Sequence, residues 1–212
     1  MLPTNVRRVP VCRAAAALLL FFPGALAAQV AEPETVVALS ESLRSDQEAH
    51  LWRVGAWGAA NVVGGLALVA LSDADRQRVG RAFGIQSAAW GAINVGIAAV
   101  GLAGGTGEVH TDWAGAIGAE NGYADILLVN LGLNVGYAAV GTAMMVAGTR
   151  DVRHAADWRG HGAALILQGA GLFVLDGIAY FGSRGRMADL VALADSVTVT
   201  ASGAGVRLIV GL

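Results

Sequence analysis

The sequence predicts an all-α membrane protein: a four-helix transmembrane bundle with an N-terminal signal peptide and a short C-terminal β-hairpin. Three observations predict it. Hydrophobic residues make up 55% of the chain and charged residues only 14%, against about 25% charged in an ordinary soluble domain. Four apolar segments, at about 54–71, 85–104, 126–147 and 162–182, each come near the roughly 20 residues that a spanning helix needs. Open sheet edges cannot face lipid, so helices are the form in which these segments cross. Finally, the 30 glycines supply the small residues that let helices approach closely where lipid offers no hydrophobic drive for association.

Residues 1–28 read as a secretory signal. Arg7, Arg8 and Arg13 form a basic start, Ala14 to Phe22 is a short apolar run, and Pro23-Gly24 breaks it. Ala25-Leu26-Ala27 or Leu26-Ala27-Ala28 offers small residues for cleavage. An uncleaved anchor is the alternative reading of the same run. The only cysteine, Cys12, lies inside it, so a processed chain would carry no disulfide, no thiol nucleophile and no thiolate metal site. Residues 29–52 are a polar lead-in in which Val36 to Leu43 have helical spacing. That spacing suits an amphipathic helix on the membrane surface or over the bundle, and equally a solvated one.

The bundle occupies 53–183, and its loops orient it. Residues 72–82 carry Arg76, Arg78 and Arg81, and residues 148–161 carry Arg150, Arg153 and Arg159. Between the second and third spans, 105–125 carry Glu108, Asp112, Glu120 and Asp125 with no Lys or Arg. Short basic loops stay cytoplasmic, which places both mature termini in the periplasm and the protein in a bacterial inner membrane. Arg184 and Arg186 are exceptions on the outer side. Trp52, Trp113 and Trp158 suit the interface belts. In the tail, 184–212, Met187 to Ala194 suggests a short helix. Val197–Ala201 and Val206–Val210 alternate around a Gly-rich turn, which is a hairpin signal.

A layer of polar residues runs through the spans. Trp57 and Asn61 lie on the first, Trp90 and Asn94 on the second. The third carries Asn130, Asn134 and Tyr137, and the fourth Gln168, Asp176 and Tyr180. Residues four apart share a helix face. At 1.5 Å per residue, Asn61, Asn134 and Asp176 fall roughly 9–12 Å below the outer ends of their spans, and Asn94 about 15 Å. Polar groups at that depth face the bundle interior and one another. Asp176 is the sharpest of them, because an intramembrane acid is a functional candidate by default and no buried Lys or Arg stands ready as its partner. Asn94-Val-Gly-Ile-Ala-Ala-Val-Gly101 is nearly repeated in Asn134-Val-Gly-Tyr-Ala-Ala-Val-Gly141, which suggests an internal repeat.

Trp57-Gly-x-x-Asn61, Trp90-Gly-x-x-Asn94, Gly132-Leu-Asn-Val-Gly-Tyr137 and Leu165-Ile-Leu-Gln-Gly-x-x-Leu-Phe-x-x-Asp176 resemble the motifs of an uncharacterised bacterial family of four-helix inner-membrane proteins. The motifs come in the same order over most of the mature chain. The resemblance implies fold and location and brings no activity. That family has Asp where this chain has Asn134, so the resemblance argues against a mechanism based on paired carboxylates.

Several function classes are disfavoured. The net charge of −2 gives no basic face for nucleic acid. His50, His110, His154 and His161 fall in loops or at helix ends without metal-site spacing, and no cofactor or metal is expected. No nucleophile lies deep in a span beside a base. The reading the sequence favours is a non-enzymatic scaffold or accessory subunit with a buried polar layer. Its partners are the lipid bilayer and, through the tail, a periplasmic protein or a second copy. The alternative is a small carrier or binding protein for a proton, cation or small polar solute, using Asp176 and the Asn layer.

Overall fold

A computed structural model describes residues 33–195, 197–202 and 205–210, with side-chain surroundings for 34–193. The expected signal at 1–28 lies outside the described residues. Four helices follow in order: α1 Pro33–Leu71, α2 Arg78–Gly104, α3 Trp113–Ala147 and α4 Ala155–Asp195. All four are long and apolar enough to cross a membrane. Pro33 stands at the start of α1, where its missing N–H costs nothing. The carboxylate of Asp112 caps α3 by accepting the N–H of Gly115 at 2.9 Å. Gly105, at φ 80°, ends α2 in the left-handed region. In the loop between α1 and α2, Asp73 accepts the backbone N–H groups of Asp75 and Arg76, both at 2.9 Å. These bonds hold its carboxyl below the usual range.

The helices run longer than the expected spans. The lead-in is continuous with the first span, so α1 has 39 residues. The short helix expected after 186 is the end of α4, which has 41. At 1.5 Å per residue each is about 60 Å long, twice the roughly 30 Å of a hydrocarbon core. Their extra length packs together: Val36 of α1, Ala116 of α3 and Leu190 of α4 form a small buried cluster, joined by Leu39, Trp113 and Ile117.

The packed fold is all-helical, and this corrects the expected fold class, which counted a C-terminal β-hairpin as a member beside the bundle. Val197–Ser202 and Gly205–Val210 run antiparallel and pair only with each other. Two strands alone are marginal, so they add no layer to the architecture.

Each helix buries one narrow stripe. On α1 it is Val36, Ser40, Leu43, His50, Val54, Asn61 and Gly65; on α2 it is Gly84, Ser87, Gly91, Asn94 and Ala98. These recur at steps of three, four or seven residues, the spacing of a helix–helix seam. Most are small or polar, and large apolar side chains point outward: Val63 is 70% exposed, and Val100 and Phe181 are each 75% exposed. A water-soluble chain hides such residues. Here the outer surface matches hydrocarbon.

Close glycine contacts set the pairing. A Cβ on Gly58 would lie 2.7 Å from the Gly91 carbonyl oxygen, and one on Gly84 would lie 2.5 Å from that of Gly65. Position numbers fall on one helix as they rise on the other, so α1 and α2 are antiparallel. On α3 and α4, a Cβ at Gly141 would lie 2.5 Å from the Gly162 oxygen, and one at Gly169 would lie 2.5 Å from the Asn134 oxygen. The two hairpins meet through α4, which packs on both α1 and α2. By contrast, α2 and α3 stay apart, with no Cα of one within 8 Å of the other.

Candidate functional site

The central polar residues all sit on the antiparallel glycine-paired helices, on the stripe that the close contacts turn inward. Asn61, Asn94, Asn134, Gln168 and Asp176 are all buried. They fall into two groups.

The first group is a closed set of hydrogen bonds. The Gln168 side-chain amide donates to Asn61 Oδ1 at 2.6 Å. Gln168 Oε1 accepts from Trp57 Nε1 at 3.0 Å and from Asn94 Nδ2 at 3.5 Å. Asn61 Nδ2 donates back to the Trp57 carbonyl at 2.8 Å. Gln168 thus ties α1, α2 and α4 together at one level, with no solvent exposure of its own. Satisfied networks of this kind fix helix register.

The second group surrounds the acid. Asn134 Nδ2 donates to Asp176 Oδ2 at 2.6 Å. His50 Nε2 lies 3.1 Å from Asp176 Oδ1. A carboxylate oxygen accepts, so the imidazole carries a proton on Nε2. Asp176 therefore has a partner for each oxygen, from two different helices. The expectation that histidines stay in loops or at helix ends does not hold for His50. Because α1 is continuous, His50 stands in mid-helix and is 7% exposed. Sequence reasoning missed it, yet a signal was there. His50, Val54, Trp57 and Asn61 follow steps of four, three and four, a single helix face.

His50, Asn94, Asn134 and Asp176 line a cavity of about 440 Å³. It lies between the separated helices α2 and α3, with α1 and α4 behind. Asn130 and Tyr137 border it as well. Trp90 of α2 and Tyr137 of α3 meet edge to face, with ring centroids 5.1 Å apart and planes at 86°, so they bridge the two helices across the cleft. Gly105, Thr106 and Gly107 of the following loop border it too. The walls are apolar: Ile93, Ile97, Ile126 and Leu133 line the cavity and are each about half exposed on the outer surface. Such a cavity is in the size range of small-molecule sites, which are mostly apolar with a few convergent polar groups. Tyr180 stands apart from it, packed against Phe181 with centroids 5.8 Å apart.

A third cluster, also missed, lies toward the α2–α3 loop. Arg186 donates through Nε to Glu120 Oε2 at 3.0 Å and through Nη2 to Glu120 Oε1 at 3.1 Å. Its Nη1 reaches Asp46. Glu120 is 2% exposed, so this is a buried bidentate pair. It explains how Arg186, an exception to the charge pattern of the loops, is accommodated. Among the described residues, no group of three or more His, Cys, Asp or Glu is placed to hold a metal ion.

A family model described as a family of unknown function, DUF6992, matches residues 53–177. The match covers the polar layer from Trp57 to Asp176 and begins just after His50. No curated protein and no solved structure matches the chain.

Proposed function

This chain belongs to the DUF6992 family, a family of unknown function, and we propose that it is a non-enzymatic, membrane-embedded binding protein. Its site is the cleft between α2 and α3, with His50 and Asp176 on the floor. The observation that carries this reading is the 440 Å³ cavity beside a buried acid. A layer serving only to lock helices would be dry and interdigitated, like the half built on Gln168. The half built on Asp176 leaves space in front of its polar groups. This favours the binding alternative over a pure scaffold, and the Gln168 network supplies the rigid frame behind it. In this reading the Arg-rich loops face the cytoplasm, and the mouth near Gly105–Gly107 faces the periplasm of an inner membrane.

Native mass spectrometry of protein extracted gently from membranes tests the proposal. A bound small molecule is expected on the parent and absent from Leu133→Trp. Leu133 lines the cleft and is half exposed, so the indole fills space without disturbing the packed seams. A parent free of any bound molecule, or an equal load on the plugged variant, would favour the scaffold.

A further inference from the structure

We infer that the cleft holds a lipid-soluble molecule with a planar, uncharged, carbonyl-bearing head and an apolar tail, the chemical class of the prenylated quinones. The inference rests on the binding reading above and names the ligand class of that same site. Three features point the same way.

The first is access. No Cα of α2 lies within 8 Å of one of α3, so the helices meet across a gap that the Trp90 and Tyr137 rings bridge, and the residues flanking that gap, Ile93, Ile97, Ile126 and Leu133, are about half exposed on a surface that matches hydrocarbon. A ligand enters from the lipid side, and whatever fills the gap touches isoleucine and leucine. Between Trp90 and Ile97 the wall runs for about 10 Å of helix axis. An apolar tail satisfies that wall, whereas a free sugar, amino acid or ion leaves it uncovered.

The second is charge. The Asp176 carboxylate is engaged by His50 and by Asn134, and no buried Lys or Arg lines the cavity. A carboxylate or phosphate head would come to rest against Asp176 with no unengaged cation to receive it, and an unpaired charge at that depth is costly. A cationic head fares little better, since both oxygens of Asp176 already have partners, and a neutral head suits the site best.

The third is the set of unsatisfied groups. Trp90, Tyr123 and His50 line this cavity, and their Nε1, Oη and Nδ1 atoms, buried just behind its wall, have no protein partner among the described residues; His50 itself is more than nine-tenths buried. Buried polar atoms are normally bonded. Two of the three are N–H or O–H donors, so they call for acceptors on the ligand. Carbonyl oxygens set on opposite sides of a ring supply them, and the Trp90 and Tyr137 rings, already edge to face, offer aromatic surface to a flat head.

The test uses purified full-length protein in detergent with decylubiquinone as probe and oleate as the charged comparison. Binding is read by thermal shift and by titrated quenching of tryptophan fluorescence. Decylubiquinone is expected to bind and raise the melting temperature, and oleate is not. Ile97→Phe, at a position 57% exposed, is expected to weaken quinone binding at least tenfold while the unliganded protein melts as the parent does. Trp90→Phe keeps a ring and removes the indole N–H, and is expected to weaken it severalfold. If the protein carries a bound molecule in native mass spectra but decylubiquinone neither shifts nor quenches it, the ligand class is overturned and the binding reading stands. Preferential binding of oleate also overturns the ligand class. If neither probe binds and no molecule copurifies, both fail together.

Discussion

Asp176 is held by one donor from α1 and one from α3, and this determines how it responds to substitution. Asp176→Asn keeps the shape and one acceptor. The neighbouring Asn134 can turn its own amide to accept from the new donor, so the variant is expected to melt close to the parent. Asp176→Leu strands both His50 and Asn134 and is expected to lose about 1–3 kcal/mol. Denaturation by graded SDS in mixed micelles measures both. An Asn variant as weak as the Leu variant would mean that the charge of Asp176, not its hydrogen bonding, holds the site. Arg186 presents the opposite case, since its value to the fold is ionic. Arg186→Met leaves Glu120 buried without a cation, at about 3–5 kcal/mol. Adding Glu120→Gln to that variant removes the charge and is expected to recover most of the loss in the same unfolding experiment. No recovery would show that the pair matters for its shape alone. At this scale the sequence was legible where polar residues sat inside apolar runs. Asn61, Asn94, Asn134, Gln168 and Asp176 stood out for that reason, and all are buried. His50, Asp46, Glu120 and Arg186 lay in stretches already polar enough to look like solvated ends, where composition does not distinguish a buried partner from an exposed one.

At the scale of the elements, the seams are built from glycine as much as from polar bonds. The Gly58–Gly91 approach stands one turn from Asn61 and Asn94, so the amides can meet only if the backbones stay close. Gly91→Ala puts a methyl group about 2.5 Å from a carbonyl oxygen that cannot move away. It is expected to destabilise by about 1–3 kcal/mol and to push Asn61 and Asn94, one turn away on the same seam, apart. Gly96→Ala is the matched control, because a Cβ there meets nothing within 4 Å; its melt should equal the parent's or exceed it slightly, since alanine favours helix. Equal losses in the two variants would remove the seam argument. The existence and order of the four helices were readable from hydropathy, but their ends were not. Hydropathy marks where a helix suits lipid, whereas α1 and α4 continue for as long as no residue breaks them and a neighbour covers their stripe. The near-repeat around Asn94 and Asn134 was readable as a string, and its last glycines differ in their surroundings. A Cβ on Gly101 would meet the Leu51 side chain, while one on Gly141 would meet the Gly162 backbone.

For the molecule as a whole, the distribution of residues is inverted relative to a water-soluble bundle: small and polar inside, branched and aromatic outside. That inversion explains why polar groups can carry register here, since in lipid there is little to gain by burying leucine. It also explains why a cleft persists between α2 and α3. In water an apolar gap would tend to close, but in a bilayer the gap can be filled by lipid or by a lipid-like ligand without penalty. The cleft was the least legible feature of the sequence, because it arises from which helix backbones stand apart, and no local pattern reports that. We propose this gap as a binding site with His50 and Asp176 at its base, and a structure of the protein in a lipid nanodisc tests that most directly. Helices α2 and α3 are expected to stand apart, with non-protein density whose polar end lies within hydrogen-bonding reach of Trp90, Tyr123 or His50 and whose tail runs past Ile97. Helices α2 and α3 packed on each other, with the space before Asp176 filled by the protein's own side chains, would contradict it.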